Sequence, residues 1–267
     1  MLTFTKMNGA GNDFVMVDNR DGKAQLTRDQ IAQLCDRHRG IGGDGLLAVE
    51  PAEQGADFRM RYYNADGGEA EMCGNGARCF ARFASKLAGR NGSVSFETIA
   101  GTITAQLLGD RVRLQMSQPK DLAPAAHLTV AGVPLSVHFV NTGVPHAVVE
   151  VDDIEAVDVV NLGAGIRWHE HFAPKGTNAN FIQPLSSTAL AIRTYERGVE
   201  GETLACGTGV VASALIYNQL TGAESPIGVR VKGGDILEVG FERVGNEYRN
   251  VTLTGPADFV FDGAVQV

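Results

Sequence analysis

The sequence predicts an α+β fold of two homologous, pseudo-symmetric domains, each a mostly antiparallel sheet or barrel wrapped around a central helix. Three observations carry that expectation. Two turn-rich segments, Cys73-Gly-Asn-Gly-Ala and Cys206-Gly-Thr-Gly-Val, lie 133 residues apart (206 − 73) in a chain of 267. Other landmarks recur at nearly that offset: Gly101 with Gly234, Pro51 with Pro184, and Gly9-Ala-Gly-Asn12 with Gly143-Val-Pro-His146. Each copy combines short segments of period-2 alternation with one helix that is apolar on almost every side. A period this long means duplicated domains rather than a solenoid. The expected domains are residues 1–118 and 119–257, joined near 117–127.

Taken in order, Phe14-Val-Met-Val alternates weakly and reads as a strand. Residues Thr27 to His38 form an amphipathic helix with Thr27 as N-cap and Ile31, Leu34 and Cys35 on one face. The segments Phe58–Tyr63, Ser93–Glu97, Thr102–Ala105 and Val112–Met116 read as strands, and Asp235–Val239 matches Thr102–Ala105 in the second copy. Residues 75–88 and 208–220 are the two central helices. Ala77, Phe80, Ala81, Phe83 and Ala84 mark the first, and Val210, Val211, Ala212, Ala214, Leu215 and Ile216 the second. Such helices require burial on most sides.

A net charge of −8 without any Lys/Arg run argues against nucleic-acid and anionic-membrane partners. No apolar stretch reaches 18 residues, and the start lacks a basic-then-apolar leader pattern, so the expectation is no membrane span and no signal peptide. Four cysteines without CxxC spacing read as reduced thiols of a cytoplasmic metabolic enzyme.

The two Cys-Gly-x-Gly segments carry the chemistry. Each cysteine stands just before a buried helix, where backbone N–H groups lack partners and the helix dipole is positive. That position holds a carboxylate and favours a thiolate over a thiol. With the device supplied twice, one substrate carboxylate would be gripped by two helix starts, with a sulfur facing each side of its α-carbon across a domain interface. An α-hydrogen beside a carboxylate is very weakly acidic, and the carbanion places more negative charge on the carboxylate oxygens, where the N–H groups point. One sulfur removes the proton and the other returns one to the opposite face, which is stereoinversion. Cys79 has no counterpart in the repeat (Ala212) and Cys35 sits on an apolar helix face, so both read as core residues.

At these residues the chain resembles the diaminopimelate epimerase family. The resemblance runs nearly end to end: Asn8-Gly-Ala-Gly-Asn-Asp-Phe, Arg37-His-Arg-Gly-Ile-Gly-Gly-Asp-Gly, Tyr63-Asn-Ala-Asp-Gly-Gly-Glu-Ala-Glu-Met-Cys-Gly-Asn-Gly-Ala-Arg, Gly143-Val-Pro-His, Thr177-Asn-Ala-Asn-Phe, and Tyr195-Glu-Arg-Gly followed by Glu202-Thr-Leu-Ala-Cys-Gly-Thr-Gly. It implies Cys73 and Cys206 as the acid/base pair, with His146 and Glu196 assisting. Gly74, Asn75, Gly207 and Thr208 would bind the carboxylate at the reacting centre. Asn12, Asn64, Asn178 and Arg197, with Glu196, would hold the rest of the amino acid, a role suited to bidentate arginine and to amides. The resemblance further implies interconversion of LL- and meso-diaminopimelate in lysine and cell-wall precursor biosynthesis. It implies no cofactor and no metal, a homodimer, and a last strand near 258–267 that rejoins the first domain.

Gly45 and Val144 depart from one common form of the pattern, where some members carry Gln and Asn. Alternative readings are a racemase of another amino acid on the same fold, a thiol redox protein using Cys73 and Cys206, and a non-catalytic amino-acid-binding module. The run Gly40-Ile-Gly-Gly-Asp-Gly matches a dinucleotide fingerprint literally but follows a helix rather than a strand, so nucleotide binding is not expected. His169-Glu-His171 has no third ligand candidate nearby and reads as a loop.

Overall fold

Parallel strand neighbours cannot be joined by a tight turn, and the positions of the helices follow from that restriction. The computed structural model describes all 267 residues. The chain divides into one unit of Met1–Gln115 with Gly255–Val267 and a second of Met116–Thr254.

The first unit runs β1 (Leu2–Gly9), β2 (Asn12–Asp18), α1 (Arg28–Cys35), β3 (Gly45–Glu50), β4 (Phe58–Asn64), α2 (Gly74–Ala88), β5 (Ser93–Thr98), β6 (Gly101–Leu108) and β7 (Arg111–Gln115). Consecutive strands are antiparallel neighbours except β2–β3 and β4–β5, which are parallel. Those two connections are the ones that contain α1 and α2.

The second unit repeats the scheme with β8 (Lys120–Val130), β9 (Val133–Asn141), β10 (Pro145–Glu150), α3 (Val159–Arg167), β11 (Asn178–Ser186), β12 (Ala189–Glu196), β13 (Gly201–Thr203), α4 (Gly207–Thr221), β14 (Ile227–Arg230) and β15 (Ile236–Val244), and β16 (Glu247–Pro256) leads out of it. Here the parallel pairs are β10–β11 and β12–β14, again bridged by helices. The last strand, β17 (Asp258–Val265), pairs antiparallel with β1 from Leu2↔Val265 to Asn8↔Asp258. It takes beside β1 the place that β8 takes beside β9.

The two central helices are the cores of their units. The α2 helix touches β1, β2, β3, β5, β6 and β7, and α4 touches β9, β10, β11, β12, β14 and β15. In α4 every residue from Gly209 to Asn218 is buried. Full burial stabilises each of its Val, Leu and Ile side chains by roughly 1.5–3 kcal/mol. Both helices are 15 residues long, start at a cysteine N-cap and stop at a left-handed glycine, Gly89 (φ 61°) or Gly222 (φ 75°).

Four local expectations are revised. The first helix ends at Cys35 rather than His38. The Asp36 carboxylate accepts the N–H groups of His38 and Arg39 at 2.7 and 2.9 Å, and Ile41, Gly42 and Gly43 return to donate to the carbonyls of Leu34 and Cys35. The glycine run therefore closes the end of a helix. Most of the 117–127 segment, read as a joining stretch, lies within β8. Around His169-Glu-His171 the chain forms a short 3-10 turn, in which His169 Nδ1 accepts the His171 N–H at 3.1 Å.

The fourth revision is α3, which the sequence reading lacks. Gly163 and Gly165 depress its helix propensity, but both are packing residues. A Cβ at 163 would lie 2.4 Å from Tyr195 Cβ, and one at 165 would lie 2.4 Å from Val130 Cγ1. Gly163→Ala is therefore expected to lower stability by roughly 1–3 kcal/mol through overpacking, despite alanine's better helix propensity. The urea midpoint measures it, and an unchanged or raised midpoint would contradict the packing role.

Candidate active site

Both candidate cysteines occupy the N-cap of a central helix in extended conformation, Cys73 at φ −134°, ψ 123° and Cys206 at φ −122°, ψ 107°. Each carbonyl accepts the first helical bond, from Ala77 at 2.7 Å and from Val210 at 2.9 Å. Neither cysteine side chain caps the first-turn N–H groups, and neither first turn contains an acidic residue. The positive end of each dipole is thus left for an outside anion. Cys73 is half-buried and Cys206 buried. The other two thiols behave as core: burial pushes Cys35 up to about 11 and Cys79 up to about 12.

In the first unit the polar residues form one relay. Arg78, fully buried on α2, donates from Nη2 to Asn75 Oδ1 (2.8 Å) and from Nε to the Pro256 carbonyl (3.1 Å). Asn75 Nδ2 donates to Asn12 Oδ1 (2.6 Å), and Asn12 Nδ2 donates to Asp44 Oδ2 (2.8 Å). Asp44 also accepts from Arg37 (2.7 Å), which forks onto Asp13 (2.6 and 2.9 Å). Burial alone would raise the Asp13 carboxyl, but Arg37 and Lys6 hold it at about 2. A guanidinium only donates and a carboxylate only accepts, so the two ends fix which way both amides face. Asn64 stands exposed at the end of β4, its backbone closed into a turn by Gly67 and Gly68.

In the second unit, Glu196 accepts from Thr203 Oγ1 at 3.0 Å and shares a side-chain hydrogen bond with Cys206. Its carboxyl is raised above the ordinary 4.5 by burial, against the lowering effect of those two bonds. Cys206 Sγ lies 3.6 Å from Thr208 Oγ1, and the Thr208 carbonyl accepts from Thr142 Oγ1 at 2.9 Å. Asn178 donates to the Pro145 carbonyl (2.9 Å) and accepts the backbone N–H of Arg197 (2.8 Å). Arg197 is half-buried beside a cavity of about 500 Å³, also lined by Val144, Pro145, Phe172 and Lys175. His146 is fully buried, and burial together with the charge of Arg197 pushes its imidazole down to about 3.

The two departures resolve differently. A Cβ at Gly45 would meet the Tyr63 carbonyl at 2.4 Å, so this backbone has no room for a side chain there. Val144 lines the cavity and supplies an apolar wall. Sequence reasoning missed Arg78, Asp44, Thr142 and Asn180. Arg78 and Asp44 stood inside quoted motifs, and their type was a signal: a charge within an otherwise apolar or glycine-rich run needs a partner.

The fold is shared by proteins that are distant in sequence. A phenazine biosynthesis protein of the PhzF family from Bacillus anthracis superposes with a TM-score of 0.73 at 15% identity, covering 100% of this chain and 99% of that one. A hydroxyproline epimerase from Agrobacterium vitis gives 0.70 at 17%, covering 98% and 91%. Within that fold the family is defined by sequence. The diaminopimelate epimerase family model matches residues 4–121 and 138–260. The diaminopimelate epimerase of Aquifex aeolicus is 42% identical over 274 residues, covering 98% of this chain and 97% of the relative. That of Chlorobaculum tepidum is 44% identical over 263, covering 97% and 99%. The chain belongs to the diaminopimelate epimerase family.

Two outcomes follow from this geometry. Arg78→Met leaves the Asn75 and Pro256 oxygens without their donor and is expected to cost about 1–3 kcal/mol of stability. The Asn12 and Asn75 side-chain NH₂ signals should lose exchange protection in NMR spectra, and retained protection would break the relay. For Glu196 the sign is set by a folded-state pKa above the unfolded one. The stability its protonated form contributes is complete below the ordinary 4.5 and is lost as pH rises through the higher folded value. Glu196→Gln should flatten that part of the stability-versus-pH curve in chemical denaturation.

Proposed function

We propose that this protein is a cofactor-independent isomerase interconverting LL- and meso-diaminopimelate, in lysine and cell-wall precursor biosynthesis. The observation that carries the reading is the duplicated device, a cysteine at the uncapped N-terminus of a buried helix, present once in each unit. Inversion at a carbon needs one group to take a proton and a second to give one, and the chain supplies two of the same kind. Family membership supplies the substrate.

In this reading the N–H groups at Gly74, Asn75, Gly207 and Thr208 grip the carboxylate of the reacting centre. A thiolate takes the α-proton, and the electron pair of the broken C–H bond spreads into that carboxylate, whose added charge the same N–H groups stabilise. The other thiol donates its proton to the opposite face, so the two sulfurs exchange protonation states in each turnover. Glu196, hydrogen-bonded to Cys206, is the group placed to exchange a proton with that sulfur, and His146 assists. Asn12, Asn64, Asn178 and Arg197 hold the distal amino-acid end, with Arg197 pairing its carboxylate. The protein acts as a homodimer on a free small molecule in the cytoplasm.

Turnover of LL- or meso-diaminopimelate in D₂O should introduce deuterium at the α-position, followed by ¹H NMR. Cys73→Ala and Cys206→Ala should each lower kcat by at least about 10²–10⁴-fold. Absence of α-exchange with every amino acid tried would remove the isomerase reading.

A further inference from the structure

We infer that Asn180 is a positioning residue that locks His146 as its Nε2–H tautomer, so that the imidazole serves the inversion as a neutral hydrogen-bond donor and not as a base. The role rests on the proposed function; the tautomer rests on geometry alone. A backbone carbonyl can only accept, and the Ala147 carbonyl lies 2.9 Å from Asn180 Nδ2, which places the nitrogen of that amide and not its oxygen at this end. The same Nδ2 lies 3.1 Å from His146 Nδ1. An amide NH₂ only donates, so Nδ1 must be bare, and the single proton of a neutral ring sits on Nε2.

The lock is tied at its other end and to the active helix. Thr194 Oγ1 donates to Asn180 Oδ1 at 3.0 Å, and Asn180 is fully buried. A side chain at Gly209, in the first turn of α4, would strike Asn180 Oδ1 at 2.4 Å. The second glycine of the Cys206-Gly-Thr-Gly motif thus lets the helix start close against this amide. The ring is sealed from solvent and lies near the positive Arg197, both of which disfavour imidazolium.

What remains is Nε2–H, buried and without a partner in the protein. Such a donor is costly to leave unsatisfied, and a rigid frame that fixes it in this state points to an acceptor that arrives in turnover. A negatively charged acceptor is stabilised by a neutral donor without a proton changing hands.

The test uses the whole protein labelled with ¹⁵N-histidine, the His146 signals being assigned by their absence in His146→Gln. The wild type should show Nε2 protonated and Nδ1 bare across the neutral range. Asn180→Asp offers His146 only acceptors, so the pattern should reverse to Nδ1–H, and kcat with diaminopimelate should fall about 100-fold with little change in KM. Asn180→Ser, which removes the donor without adding charge, should give mixed tautomers and an intermediate kcat. It serves in place of Asn180→Asp should that variant not fold. A wild-type ring protonated at Nδ1, or doubly protonated near neutrality, overturns the tautomer. Reversal of the tautomer with kcat unchanged overturns the role. If the wild type exchanges no α-proton at all, the role falls with the isomerase reading, while the spectrum still decides the tautomer.

Discussion

The N–H groups that open the two central helices are the constraint around which the rest is arranged. The α4 helix is apolar on nearly all sides and α2 on all but the face of Arg78, Arg82 and Lys86, and burial removes water as a partner for the first turn. Serine, threonine, aspartate or asparagine at the N-cap would satisfy those donors locally. Cysteine does not, and no acidic residue follows in either turn. Both helix starts are thereby suited to an outside anion, with a sulfur standing beside each.

Around this shared device the two units have diverged in their polar partners. Asn12 and His146 hold equivalent places in the repeat, as do Asn75 and Thr208. In the first unit Asn12 and Asn75 bond directly to each other and are drawn into an ionic relay. In the second, His146 is held by a neutral amide, and a carboxyl group joins the sulfur instead. The helix-bridged parallel pairs and the 15-residue central helices recur in both units while these polar groups differ.

Much of this was legible before any coordinates. The offset of 133 reappears at both ends of α2 and α4, and the capping box of Thr27 with Gln30 begins α1 where the sequence places it. What escaped were features whose signal is tertiary. In α3 the glycines that argue against a helix are there so that Tyr195 and Val130 can approach. The early end of α1 depends on residues that come back to its last carbonyls. Arg78, Asp44 and Asn180 act through other side chains, so no spacing in the sequence marks which amide each will orient. The literal match of Gly40–Gly45 to a phosphate-binding loop shows the converse, since the same glycines close a helix instead.

The pairing of β17 with β1 bears on how the chain is made. The second unit is contiguous, so every strand it needs has left the ribosome once Thr254 is out. The first unit must wait, because the whole second unit separates β1 from its partner in the chain. Until then β1 presents an open edge able to pair wrongly. The exposed Thr3 keeps that waiting edge polar in part, and the first unit closes only after the second has been synthesised.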